Sequence, residues 1–185
     1  FGSENNLEDE KLLELWAPQD EKLYYPTDDQ DIGVSFLGSI NNQERQKYLT
    51  YLVNNQVNVL IKGGQRAEKL TPEAYAGFIR KSKISLNFPS NANGFDQCKG
   101  RVWEILASRS LLMERKNKAT RGMLGEAGHC YIDYENEADL KNKIEYYLSP
   151  EEERKKIAAE GYKWYLRRYS SKQFWKEVFI KVDNE

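Results

Sequence analysis

From Val34 to the end of the chain, short apolar runs alternate with stretches whose apolar positions recur every three or four residues. The runs predict buried strands, and the longer period predicts amphipathic helices. Val34–Gly38, Val57–Ile61, Ile84–Phe88, Ser110–Met113 and Cys130–Ile132 read as strands. Tyr48, Leu49, Leu52 and Val53 share one face of a helix over Gln43–Val53. Thr71 before Pro72 is an N-cap with proline at the first helical position, opening a helix to about Lys81. Val102, Ile105 and Leu106 mark a helix over Cys98–Ser108, opposite a polar face of Arg101, Glu104 and Ser108. A short helical piece lies near Ala119–Leu124, and a longer one spans Glu137–Leu148. Ser149-Pro150-Glu151-Glu152 reads as a capping box that starts a helix to about Arg168. Ser171 caps a last amphipathic helix bearing Phe174, Trp175, Val178 and Phe179.

Strands alternating with helices imply an α/β fold: a doubly wound, parallel, Rossmann-like sheet with helices on both faces and right-handed crossovers. Ligands of such sheets sit outside the carboxyl ends of the strands. The loops 38–45, 62–66, 89–101 and 114–121 are therefore the places to look for chemistry. Residues 1–31 read as an extended lead-in, whose one helical stretch, Glu8–Trp16, is stopped by Pro18 and Pro26. The expected division is a lead-in over 1–31 and one domain over 32–185.

Composition narrows the class. With 39% hydrophobic and 12% aromatic residues in 185, the chain can bury a core. No apolar run approaches the roughly 20 residues that cross a bilayer, and FGSENNLEDE is no signal peptide. The expectation is a cytoplasmic chain without a membrane span. It has no initiating Met and reads as a piece of something longer. Cys98 and Cys130 make no disulfide framework and lack zinc-ligand spacing, so no metal site is expected. His129 is the single histidine, which leaves little room for Ser-His-Asp or Cys-His chemistry. His129 and Cys130 read as structural.

The net charge of −1 hides an asymmetry. Residues 1–31 hold ten acidic and two basic side chains, whereas Lys62–Arg121 hold thirteen basic against five acidic. That excess is either a solvated basic face or an attraction for an anionic partner. Nucleic acid is not the expected partner: no binding motif or Lys/Arg block occurs, and the pI is 6.1.

Two loops carry candidate chemistry. Gly38 and Ser39 follow the first strand and lead to Arg45. This is either a tight turn or a place where backbone N–H groups meet a phosphate at a helix N-terminus. It lacks the GxGxxG spacing of a dinucleotide fingerprint. The third loop, from Pro89 through Ser90, Asn93, Gly94 and Asp96 to Lys99, puts Lys99 and Arg101 at a helix N-terminus. Cations there oppose the helix dipole unless an anion bridges them. Arg101 and Glu104 form either an ordinary i,i+3 ion pair or a cation that holds a diphosphate beside a carboxylate that accepts from a ribose diol.

The chain resembles the C-terminal, donor-binding domain of a GT-B glycosyltransferase of the group-1 kind, which includes the spore-maturation type. The stretches that carry the resemblance are DIGVSFLGS, KSKISLNFPS, KGRVWEILASRSLLMER, AGHCYIDYENEADLKNKIEYYL and RRYSSKQFW, over roughly residues 15–180. The resemblance implies that Glu104 is the second glutamate of the family's pair and holds the nucleotide ribose. The first place, eight residues earlier, is Asp96, which would contact the donor sugar or its phosphate; an alternative alignment gives that role to Asn93. Many relatives carry an Arg just after the Gly of the first loop and a Lys six residues on. Ser39 stands at the first of these places and Arg45 at the second, so the resemblance implies that Arg45 would be a diphosphate ligand, with Lys99 or Arg101 to make up the missing charge. The implied site is thus Asp96, Lys99 and Arg101 at the reacting end, with Gly38, Ser39, Arg45, Ser90, Gly94 and Glu104 holding the donor.

The resemblance further implies a nucleotide-diphosphate sugar as donor, no metal or other cofactor, and transfer with retention of configuration. It implies an N-terminal acceptor-binding domain outside this chain, so that the isolated fragment binds donor and transfers nothing. Tyr162, Trp164, Tyr165, Tyr169, Phe174 and Trp175 would serve core and interdomain packing. The alternative reading is a non-enzymatic nucleotide- or sugar-binding domain. A phosphoacceptor receiver would need an acidic cluster where Gly38-Ser39 stand and an Asp where Pro89-Ser90 stand.

Overall fold

A computed structural model describes residues 16–63, 69–91 and 93–183. The expected helical stretch Glu8–Trp16, Trp16 itself excepted, and the part of the 62–66 loop beyond Gly63 lie outside the described residues. The strands are β1 (Ile32–Leu37), β2 (Val59–Lys62), β3 (Ser82–Asn87), β4 (Leu111–Arg115) and β5 (Ile132–Tyr134). They form one parallel sheet in the order β2-β1-β3-β4-β5. The helices are α1 (Gln43–Asn54), α2 (Pro72–Lys81), α3 (Gly100–Ala107), α4 (Lys118–Leu124), α5 (Glu137–Leu148), α6 (Glu151–Arg168) and α7 (Ser171–Asp183). None of the described helices is long and apolar enough to cross a membrane.

Each central strand is buried on both faces, and its alternating side chains feed two cores. Val34, Phe36, Ile84, Leu86, Leu111 and Met113 face one core, with Tyr48, Leu49 and Leu52 of α1 and Leu140 and Ile144 of α5. Leu37 and Leu112 face the other, with Ile79 of α2, Trp103, Ile105 and Leu106 of α3, and Leu124 of α4. Helix α6 serves both: Ile157 and Ala158 join the first core and Tyr165 the second. The sheet also carries a row of buried hydroxyls running from β1 through β3 to Ser110, the residue before β4. Ser82 Oγ donates to Ser35 Oγ at 2.7 Å, and the hydroxyls of Ser85 and Ser110 lie 2.9 Å apart.

Several expected boundaries shift. Strand β5 lies two residues later than Cys130–Ile132, because Tyr134 is the residue drawn into the aromatic cluster with Tyr48 and Phe88. Strand β4 runs past Met113 to Arg115 and so takes Glu114 into the sheet. Helix α3 is shorter than Cys98–Ser108, with Lys99 as its N-cap and the buried Ser108 as its C-cap. The capping box at Ser149 does not form. Only two residues separate α5 from α6, Ser149 ends α5, and Pro150 stands at the α6 N-cap without a side-chain cap bond. Ser171 is the first residue of α7 rather than its cap; its hydroxyl donates to Gln19 O, and Ser170 Oγ is the acceptor at the helix start.

Candidate functional site

The carboxyl ends of β1, β3 and β4 lie side by side, so the loops that follow them share one edge of the sheet. After β1, Gly38 keeps its backbone N–H on Lys62 O at 2.8 Å. The φ of +153° at Gly38 is one that L side chains rarely adopt, and a Cβ there would push the Arg101 guanidinium out of its present place. Asn42 caps α1, its side-chain oxygen accepting from the N–H groups of Glu44 (2.9 Å) and Arg45 (3.3 Å). Its amide nitrogen donates to Asn91 O at 3.3 Å and so ties the first loop to the third.

Three cations meet at this edge. Arg45 donates to Ser39 O at 2.8 Å, and burial together with the charge of Arg101 lowers its pKa. Lys99 donates to the carbonyls of Phe88 (2.7 Å) and Ser90 (2.5 Å), which pins the start of the third loop. Burial, then Arg45 and Arg101, push its ammonium down to about 8. The guanidinium of Arg101 lies over the Phe36 ring, 5.2 Å from its centroid. As the N-cap of α3, Lys99 makes no side-chain cap bond; its carbonyl accepts from Val102 N–H at 2.9 Å, and the N–H groups of Gly100 and Arg101 have no side-chain cap beside the three cations.

The expected residues divide between two places. Ser39, Arg45, Ser90 and Gly94 line an open groove of about 700 Å³, together with Asn42, Glu44 and Asn91. Gly38, Asp96, Lys99, Arg101 and Glu104 do not line it. Asp96 accepts from Ser90 Oγ at 3.2 Å and is ion-paired to Arg115, which also pairs with Glu44. Glu104 is half-buried at the back of the site and is not ion-paired to Arg101. The two join through a phenol: Arg101 Nε donates to Tyr75 Oη at 3.2 Å, and Tyr75 donates to Glu104 Oε2 at 2.9 Å. The Tyr24 phenol of the lead-in also acts on Glu104. Burial raises the Glu104 pKa against the opposing pull of these donors and of Arg101. Exposed His129 and buried Cys130 lie away from this edge, beyond α4.

Sequence reasoning missed Tyr24, Tyr75, Asn87, Glu114 and Arg115. Asn87 accepts from Arg101 at 3.1 Å and donates to the fully buried Glu114 at 2.7 Å. Burial pushes the Glu114 carboxyl up to about 7. The available signal was a polar residue near the carboxyl end of an apolar run, Asn87 between Leu86 and Phe88 and Glu114 after Met113.

Residues 22–179 match the family described as glycosyl transferase-like. No curated protein matches the chain. Among solved structures, the chain is similar to the C-terminal domain of the glycosyl transferase group 1 family protein LpcC from Francisella tularensis. The TM-score is 0.68 at 13% identity, over 83% of this chain and 99% of that one. It is similar to HepE (Alr3699) of Anabaena in complex with UDP-glucose, with a TM-score of 0.67 at 10% identity over 92% of this chain. The DNA-modifying enzyme β-glucosyltransferase, described with and without uridine diphosphoglucose, gives 0.61 at 15% identity over 85% of this chain. The match spans 57% of the HepE chain and 53% of the β-glucosyltransferase chain.

Proposed function

Because the chain belongs to the glycosyl transferase-like family and has the fold of a GT-B C-terminal domain, we propose that it is the donor-binding part of a glycosyltransferase. In this reading it holds a nucleotide-diphosphate sugar, with UDP as the nucleotide, at the carboxyl edge of its sheet. The observation that carries the reading is the convergence of Arg45, Lys99 and Arg101 on the uncapped start of α3. Cations held this close repel one another, and a diphosphate relieves that repulsion.

Breaking the sugar–phosphate bond leaves an oxocarbenium-like sugar and an anionic nucleotide. Fixed cations and backbone N–H groups stabilise the leaving charge without reorganising, and each such contact is commonly worth about 2.7–4 kcal/mol. The reading assigns that task to the three cations and asks no metal of the site. Glu104, which now accepts from the Tyr75 phenol, accepts from the ribose hydroxyls. Asp96, eight residues before Glu104, faces the sugar end, and the family pairing supports transfer with retention. The acceptor is delivered from a second, N-terminal domain. Exposed Trp175, Phe179 and Val182 on α7 support such a partner.

The test is a thermal-shift panel of UDP, GDP, dTDP and ADP on the wild-type chain and on Glu104→Ala. At a hundredfold excess over Kd the fitting nucleotide stabilises by about 2.7 kcal/mol, a rise of several degrees in Tm. UDP is expected to give that rise, and the substitution to remove most of it. Equal, negligible shifts with all four would sink the donor-binding reading.

A further inference from the structure

Glu114 touches neither the groove nor any cation directly, yet its carboxylate is fully buried at the carboxyl end of β4. Three donors converge on it. Asn87 Nδ2 reaches Oε2 at 2.7 Å, Thr120 Oγ1 reaches Oε1 at 3.3 Å, and Asn117 Nδ2 reaches Oε1 at 3.4 Å. The positive charges acting on it are Lys99 and Arg101. A carboxyl so placed costs stability that an apolar residue of the same size would not. Structure alone gives no reason for it.

The hydrogen bonds do. A side-chain amide carries its donor and its acceptor on opposite sides. Asn87 and Glu114 are cross-strand partners in the β3–β4 register, and both are fully buried. An acceptor at Glu114 Oε2 turns the Asn87 nitrogen inward and leaves Asn87 Oδ1 facing the Arg101 guanidinium at 3.1 Å. Were the amide reversed, two donors would meet there. Tyr75 Oη takes the Nε–H of the same guanidinium. The remaining N–H groups of Arg101 make no hydrogen bond among the described residues.

We infer that Glu114 is a positioning residue that acts through Asn87 to hold the Arg101 guanidinium for a diphosphate. This rests on the donor-binding reading above and adds to it a chain of command running Glu114, Asn87, Arg101. Lys99 and Arg45 are held by backbone carbonyls instead, so Glu114 governs one cation of the three.

The experiment is a double-mutant cycle read by calorimetric titration with UDP, and with inorganic pyrophosphate as a base-independent probe. Glu114→Leu is expected to weaken binding about tenfold in the native background and less than about twofold in the Arg101→Ala background. Glu114→Gln keeps an acceptor toward Asn87 and is expected to restore most of the loss. If Glu114→Leu does not fold, Glu114→Asp withdraws the carboxylate by one methylene and is expected to show the same pattern. An equal loss in both backgrounds, or no loss in either, would overturn the inference while leaving the site standing. Failure of the wild-type chain to bind UDP and pyrophosphate would overturn both.

Discussion

Glu114 has a consequence for stability that is separate from binding. Its folded-state pKa, about 7, stands above the ordinary carboxylate value of 4.5 because burial disfavours the charge. The native state therefore holds a proton that the unfolded chain has already released between those two values. The sign follows from linkage: the contribution is fully present below about pH 4.5 and is lost as pH rises through 7. At about 1.4 kcal/mol per pH unit the loss amounts to about 3 kcal/mol. Glutamine at 114 has the shape without the titration. The stability of Glu114→Gln relative to wild type is expected to rise by up to that amount between pH 5 and pH 8. Urea unfolding at the two pH values measures it, and a difference independent of pH would show that Glu114 does not titrate there. Gly38 makes a complementary point at the same scale. Its missing side chain is the space into which the Arg101 guanidinium packs.

At the scale of elements, α6 is the piece that joins the two cores, and Gly161 sets how closely it lies. A Cβ at Gly161 would stand 2.6 Å from Cys130 O and 2.8 Å from Leu106 Cδ2. Alanine in a helix gains up to about 1 kcal/mol over glycine, yet here the clash with backbone dominates. Gly161→Ala is expected to destabilise by about 1–3 kcal/mol and to lower Tm by about 2–4 °C for each kcal/mol. Thermal denaturation that finds Tm unchanged or raised would contradict that packing. The periodic elements were legible because helix and strand periods are local: Thr71-Pro72 opens α2, and α5 spans Glu137–Leu148 as the pattern indicates. The carboxyl edge of the sheet, with Arg45, Lys99 and Arg101, followed from the strand–helix alternation. Glu114 opens the loop 114–121 that the alternation marks, but an apolar run ending at Met113 does not show that the strand continues to Arg115 and carries this carboxyl into the sheet. Tyr75 and Tyr24 were hidden for a different reason. Tyr75 meets Glu104 across 29 positions of sequence, and an amphipathic pattern does not say which tip of α2 reaches which tip of α3. The Ser149 box failed because its serine is consumed in closing α5.

For the whole molecule, the prediction concerns what this chain does by itself. Ten acidic residues within 1–31 stand against a basic middle, and three of the cations of that sheet edge gather at the diphosphate end of the proposed site. Stabilising a leaving diphosphate is one half of glycosyl transfer. The other half brings an acceptor hydroxyl against the sugar carbon and keeps water out, which needs groups on both sides of the reacting bond. Ser39, Asn41, Asn42, Gln43, Glu44 and Arg45 line the groove from the first loop and the first turn of α1, and Ser90, Asn91 and Gly94 line it from the third loop. All of these come from two loops at the carboxyl edge of a single sheet. The chain is therefore expected to bind UDP-glucose and to release UDP from it no faster than buffer does, with or without an added sugar acceptor. A coupled assay for free UDP reads this directly, with nucleotide binding by calorimetry as the control that the site is intact. UDP release well above buffer, abolished by Arg101→Ala, would show instead that the groups on this one sheet edge suffice for the chemistry.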